Sequence, residues 1–181
     1  MVDSLKKNKN FKNIYIYSAI PHRYGHMSGA KKYEKQKNIN IYRFYVPEHK
    51  NKMYRQIISH LIFSFQVFYN VLKNYKSFDI IFATSSRLGT AFLGFLISRI
   101  FNKKYALDIR DVFSDSVKSL NISKRLFGRF IVKFFELIEK RIVEKCNWLN
   151  FVSPGFLNYK HLNPPNKDVQ LFTNGIDDVF I

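Results

Sequence analysis

Asp108, Asp111 and Asp115 are three of only 13 acidic residues in a chain that carries 30 Lys+Arg, and Arg110 stands among them. They follow a β-favouring run, Tyr105, Ala106, Leu107 and Ile109, within residues 105–117 (YALDIRDVFSDSV). A strand that ends in converging ionisable groups is how an open parallel α/β sheet presents a polar site, because ligands bind beyond the carboxyl ends of its strands. The simpler alternative is that Arg110 and Asp111 form a solvated ion pair, worth about 0–1 kcal/mol.

Other chemically suggestive residues have plainer explanations. Glu136 and Glu144 stand in a Glu-x7-Glu spacing, and paired carboxylates can do acid-base or donor-binding work. Both lie among Glu139, Lys140, Arg141 and Lys145, where i to i+4 pairs such as Glu136 with Lys140 account for them. On a helix they are also offset by about 80°, so they share no face. His22 and His26 are separated by Gly25 and preceded by Pro21, with no third ligand near, so no metal site is expected. No glycine-rich dinucleotide or phosphate loop, HExxH or Ser-His-Asp signature occurs.

The elements that must position the acidic cluster can be read from periodicity. Residues 13–18 and 39–46 are strands separated by a Gly-, His- and Lys-rich loop. Residues 50–75 repeat apolar positions (57, 58, 61, 62, 65, 68, 71, 72) at helical spacing. Residues 79–84 are a buried strand, Ser86 caps a helix over 87–101, and 103–110 is the strand that leads to the cluster. Ser123 caps a long helix to about 145, with Leu126, Phe127, Phe130, Ile131, Phe134, Phe135, Ile138 and Ile142 on one side. Residues 148–153 and 169–172 are further strands, and Pro154 opens a short helix between them. Apolar strands alternating with helices predict an α/β class, a doubly wound parallel sheet covered on both faces.

Length and composition restrict the function. The chain of 181 residues is long enough for a real core, and 46% hydrophobic content with 19 Phe and 11 Tyr excludes a disordered chain. Cys146 is the one cysteine, which excludes an internal disulfide framework and suits a reducing cytoplasm. Residues 1–13 are polar, without the apolar core of a signal peptide. The longest apolar stretches, 57–72 and 88–101, fall short of the ~20 residues needed to span a bilayer. The net charge of +17 is lopsided: residues 1–78 carry 15 Lys+Arg against 3 Asp+Glu, and residues 79–181 carry 15 against 10. Nucleic acid, anionic lipid and phosphorylated substrates would all be attracted.

Three segments taken together, LDIRDVFSDSV (107–117), WLNFVSPGF (148–156) and FTNGIDDVF (172–180), resemble the amino-terminal domain of bacterial family 4 glycosyltransferases of the GT-B fold. The resemblance is nearest to the L-fucosamine-type transferases of O-antigen and capsule biosynthesis, and spans about residues 12–181. It implies a Rossmann-like domain of a retaining hexosyltransferase that moves a sugar from a nucleotide-sugar donor, UDP-linked, to a lipid-linked saccharide. No other cofactor or metal is implied. Arg110 would meet donor phosphate or sugar while Asp111 orients it, giving these two the catalytic roles. Asp115, Ser153, Asn174, Gly175 and Asp177 would contact substrate, Ser153 through its hydroxyl and the backbone N–H groups of the turn that follows.

The family also has an opening strand with a glycine-rich loop and a carboxy-terminal donor-binding domain. Residues 1–181 are therefore expected to be a single, truncated acceptor-side domain, lacking the first strand and without turnover alone. Its place would be the cytoplasm, peripheral on the inner face of the plasma membrane. The alternative of another class is a non-enzymatic basic α/β module for anionic lipid or RNA. Nucleic acid is not expected as a partner, because no RNA-binding signature appears and the aromatics mostly follow core periodicity.

Overall fold

The computed structural model describes residues 11–20, 30–47, 53–85, 88–119, 126–164 and 167–173, with strands and helices alternating along the chain. The strands form two sheets, and the chain divides into two compact units, Met1–Phe78 and Asp79–Ile181.

In the first unit, β1 (Ile14–Ala19) lies parallel to β3 (Ile39–Phe44), and β2 (Tyr33–Gln36) pairs antiparallel with β3 on its other side. β2 falls in a stretch expected to be loop. Its sequence, YEKQ, has no apolar alternation because it is a polar edge, so periodicity could not reveal it. Lys37, at φ 54°, closes the tight β2–β3 connection. Helix α1 (Met53–Asn74) follows. Its buried residues are Ser59, Val67 and Val71, whereas Ile57, Ile58, Leu61, Ile62, Phe65 and Leu72 of the expected apolar face are exposed.

In the second unit, β4 (Ile80–Ser85), β5 (Lys104–Ile109), β6 (Trp148–Phe151) and β7 (Val169–Leu171) form an all-parallel sheet in that order. Helices flank it: α2 (Leu88–Ile100), the short α3 (Phe113–Lys118) and α4 (Leu126–Lys145). This is the expected α/β class, with the Rossmann-like parallel sheet. α2 packs on β4, β5 and α4, so the two long helices share one face of the sheet. Strand alternation turns Ala83, Tyr105, Leu107, Ile109, Leu149 and Phe151 onto that face, where they form the core with Ala91, Ile142 and Val143. Phe82, Asp108, Trp148, Asn150 and Gln170 belong to the opposite face.

Two local contacts fix the helices. Gly94 brings α2 against the sheet: a Cβ there would lie 2.9 Å from Tyr105 Cε2 and 3.0 Å from the Ala83 Cβ. The Tyr105 hydroxyl in turn donates to the Ala91 carbonyl at 2.7 Å. At the end of α2, Asn102 takes a positive φ of 50°, and the Lys103 N–H returns to the Ser98 carbonyl at 2.8 Å, an ending that satisfies a late helix carbonyl.

The apolar residues of α4 do not form one stripe. Gly128, Val132, Ile142 and Val143 are buried, with Phe135 and Ile138 packed beside them. Leu126, Phe127, Phe130, Phe134 and Leu137 lie on the other side of the helix and are 59–74% exposed. The expected Glu136–Lys140 pair is also replaced: Glu136 meets Lys118 at 2.6 Å, and Lys140 and Arg141 approach Glu144. At the carboxyl end of α4, the Lys167 ammonium donates to the carbonyls of Val143, Glu144 and Cys146, the position where a cation best offsets the helix dipole.

Candidate functional site

β5 carries the cluster to the carboxyl edge of the sheet and then divides it. Asp108 sits opposite Thr84 of β4 and Asn150 of β6, and is buried. Its carboxylate accepts from Arg110 Nε at 2.9 Å and from Asn150 Nδ2. Asn150 Oδ1 accepts from the Phe172 N–H at 2.7 Å. A ladder of polar contacts therefore runs across β5, β6 and the exit of β7. It lines a cleft of about 330 Å³ with Phe82, Trp148 and Gln170.

Arg110 thus pairs with Asp108 and not with Asp111. Consecutive residues of an extended chain point to opposite sides. Arg110 lines the cleft with Trp148 and Asn150, whereas Asp111 lines a narrow crevice with Ser85, Leu88, Glu139 and Leu162. The structure separates the two residues expected to act together.

On the other side, Asp111 and Asp115 share a neighbour in Tyr159. Asp115 lies in the first turn of α3. A hydrogen bond to Asp115 holds the Tyr159 phenol above its usual pKa, and the charge of Asp111 adds to the effect. Lys118 closes the group, its ammonium pKa raised chiefly by the hydrogen bond to Glu136. Ser153 follows β6, and its Oγ accepts from the Gly155 N–H at 3.3 Å, capping the 3-10 turn Pro154–Asn158 as Pro154 starts it. The Val152 N–H donates to the Ile109 carbonyl, which fixes this turn beside the end of β5. Asn174, Gly175 and Asp177 lie outside the described residues, as do Ser86, Ser123, His22 and His26.

Beneath the edge is a cluster that periodicity did not mark. Val112, the N-cap of α3, offers no side-chain cap. Glu139 of α4 supplies one from a distance: its Oε1 accepts from the N–H groups of Phe113 at 2.9 Å and Ser114 at 3.3 Å. Its Oε2 lies 3.0 Å from His161 Nε2, and Ser114 Oγ lies 3.3 Å from the same nitrogen. A helix N-terminus leaves N–H groups without partners, and a carboxylate both satisfies them and complements the dipole. The set of Ser, His and Glu is not a hydrolytic triad. Ser114 is fully buried, and both its hydroxyl and the carboxylate address one ring nitrogen, whereas a triad uses the two nitrogens for different partners. The cluster instead fixes α3, and with it Asp115. One available signal was the position of Glu139 on the apolar side of α4, between Phe135 and Ile142.

Chemically, the edge offers exposed carboxylates at Asp111 and Asp115, the Tyr159 phenol and the Ser153 turn, a set suited to hydrogen bonding with hydroxyl-bearing ligands. Among the described residues no group of three or more His, Cys, Asp or Glu is placed to hold a metal ion, and no helix is long and apolar enough to cross a membrane. No model of a known protein family matches the chain, and no curated protein matches it either.

Proposed function

We propose that this chain is the acceptor-side domain of a retaining glycosyltransferase, transferring a sugar from a UDP-linked donor to a lipid-linked saccharide in surface polysaccharide synthesis of the O-antigen or capsule type. The observation that carries the reading is that Asp111 and Asp115 both act on the Tyr159 phenol, just beyond the carboxyl end of β5 in a parallel sheet, where such folds bind ligands. The three motifs of the resemblance supply the substrate class. In this reading Asp111 and Asp115 accept hydrogen bonds from saccharide hydroxyls, and α3, held by Glu139, keeps Asp115 in place. Arg110 faces the neighbouring cleft and meets donor phosphate or sugar there. The enzyme works at the inner face of the plasma membrane.

Amide-resolved NMR titration with the saccharide head of a lipid-linked acceptor and with UDP-sugars tests this. Shifts at Asp111, Asp115 and Ser153 that saturate with the saccharide, and weaken about tenfold in Asp111→Asn for the loss of a charge-assisted hydrogen bond, are the expected result. Saturating concentrations that leave all three amides unmoved overturn the reading. The net charge of +17 supports a second reading, a basic module for RNA or anionic lipid with no enzymatic role. Tight RNA binding with a steep salt dependence in a filter assay is the result that would favour its RNA form.

A further inference from the structure

α4 buries one apolar side and displays another. At 3.6 residues per turn, Leu126, Phe127, Phe130, Phe134 and Leu137 occupy an arc of roughly 100° diametrically opposite Val132, Glu139 and Val143. The packed side already satisfies the sheet, so the outward stripe is surplus to the core. Solvent-exposed large apolar side chains collected on one helix face mark an interaction surface.

The charges around the stripe say what it meets. Arg129, Lys133 and Lys140, all exposed, run along one flank, and Arg141 and Lys145 continue the arc beyond Leu137. The acids of the same helix are engaged with protein partners: Glu139 is buried against His161, Glu136 holds Lys118, and Glu144 lies near Lys140 and Arg141. We infer that the outward Phe–Leu stripe of α4 lies in the interfacial zone of an anionic bilayer leaflet, with the helix axis in the membrane plane and the flanking Lys and Arg on the headgroups. Phe and Leu on one side with Lys and Arg beside them is the composition of helices that lie on membranes and do not span them. A second copy of the chain fits poorly, because a two-fold contact through the stripe would bring the same basic residues face to face. The inference deepens the transferase reading and rests on it for a lipid-borne acceptor, but the surface can be tested with no sugar transfer.

The chain of residues 1–181 is sedimented with phosphatidylcholine vesicles and with vesicles half phosphatidylglycerol, at about 0.1 M and about 1 M salt, where the screening length falls from roughly 10 to roughly 3 Å. Binding to anionic vesicles at low salt is expected, with a residue of binding at high salt. Replacing Phe127, Phe130 and Phe134 together by Ser, with an unchanged circular dichroism spectrum and melt as the control for folding, should weaken binding about tenfold or more. Lys133→Gln should weaken it only at low salt. No binding of the wild-type chain to anionic vesicles at low salt overturns the inference, as does a Ser variant that binds as the wild type does. A wild-type dimer in gel filtration that the Ser variant converts to monomer also overturns it, by assigning the stripe to a second copy. Vesicle binding without saccharide recognition sinks the transferase reading alone; saccharide recognition without vesicle binding sinks this inference alone.

Discussion

In the second unit, four parallel strands press Tyr105, Leu107, Leu149 and Phe151 into a core where each is 2% exposed or less. In the first, a three-stranded sheet buries Ile39 and Ile41, while α1 keeps Ile57, Leu61 and Phe65 more than half exposed. Both units have abundant apolar residues, so hydrophobic content alone does not separate them. What differs is whether an opposing layer takes the apolar face up, and burial follows from that. The second unit therefore holds most of the stabilising burial and also the ionisable edge, whose geometry depends on a rigid base.

Truncating one core residue in each unit tests this most directly. Phe151→Ala should cost about 3–5 kcal/mol in urea unfolding and Ile41→Ala about 2 kcal/mol, because the Phe cavity is larger and its surroundings cannot collapse into it. Equal losses, or a larger one at Ile41, would break the comparison.

A second substitution asks whether the edge depends on the core. Glu139→Ala leaves the Phe113 and Ser114 N–H groups without their acceptor, at about 2–3 kcal/mol, and should speed hydrogen exchange at both amides. If their protection is unchanged, the carboxylate is not what holds α3.

The smallest effect is read from pH. Burial above all, and then neighbouring Cys146, pushes the Tyr105 phenol up, and burial likewise raises the Cys146 thiol. Both groups are thus held neutral in the folded chain. Their contribution is complete below the unfolded-state values, ~8.5 for Cys and ~10 for Tyr, and is lost as pH rises above them. Urea midpoints should fall progressively above pH ~9 in the wild type. Tyr105→Phe, which loses the bond to Ala91, should cost about 1 kcal/mol at neutral pH and flatten the alkaline decline. A wild-type midpoint that stays level to pH ~11 contradicts the assignment.

The elements were legible where periodicity was strong: β4, β5, β6 and the three long helices lie within a few residues of their expected bounds. So was the position of Asp111 and Ser153 just beyond the carboxyl ends of the neighbouring strands β5 and β6, since strand ends in a parallel sheet share one edge. β2 was hidden because a polar edge strand carries no alternation, and α3 because six residues are too few to show a period. The separation of Arg110 from Asp111 was implicit in the two-residue repeat of a strand, but adjacency in the motif obscured it. The outward face of α4 was not readable: two apolar stripes merge in the sequence, and only the sheet decides which is covered. Glu139 stands among charged neighbours in the sequence, which hides that a carboxylate between Phe135 and Ile142 lies on the side that packs.

The order of strands in the second unit also governs how the sheet can form. β4, β5, β6 and β7 neighbour one another in the sequence in which they are synthesised, so each pairing closes only the loop made by one crossover, and none waits for a later segment to be inserted between two earlier strands. Loop-closure entropy then stays small at every step, and the sheet can grow by adding strands at one margin while the chain is still emerging. Pulsed hydrogen exchange during refolding should find the β4–β5 amides protected no later than those of β6–β7; the reverse order would mean that growth begins at the other margin.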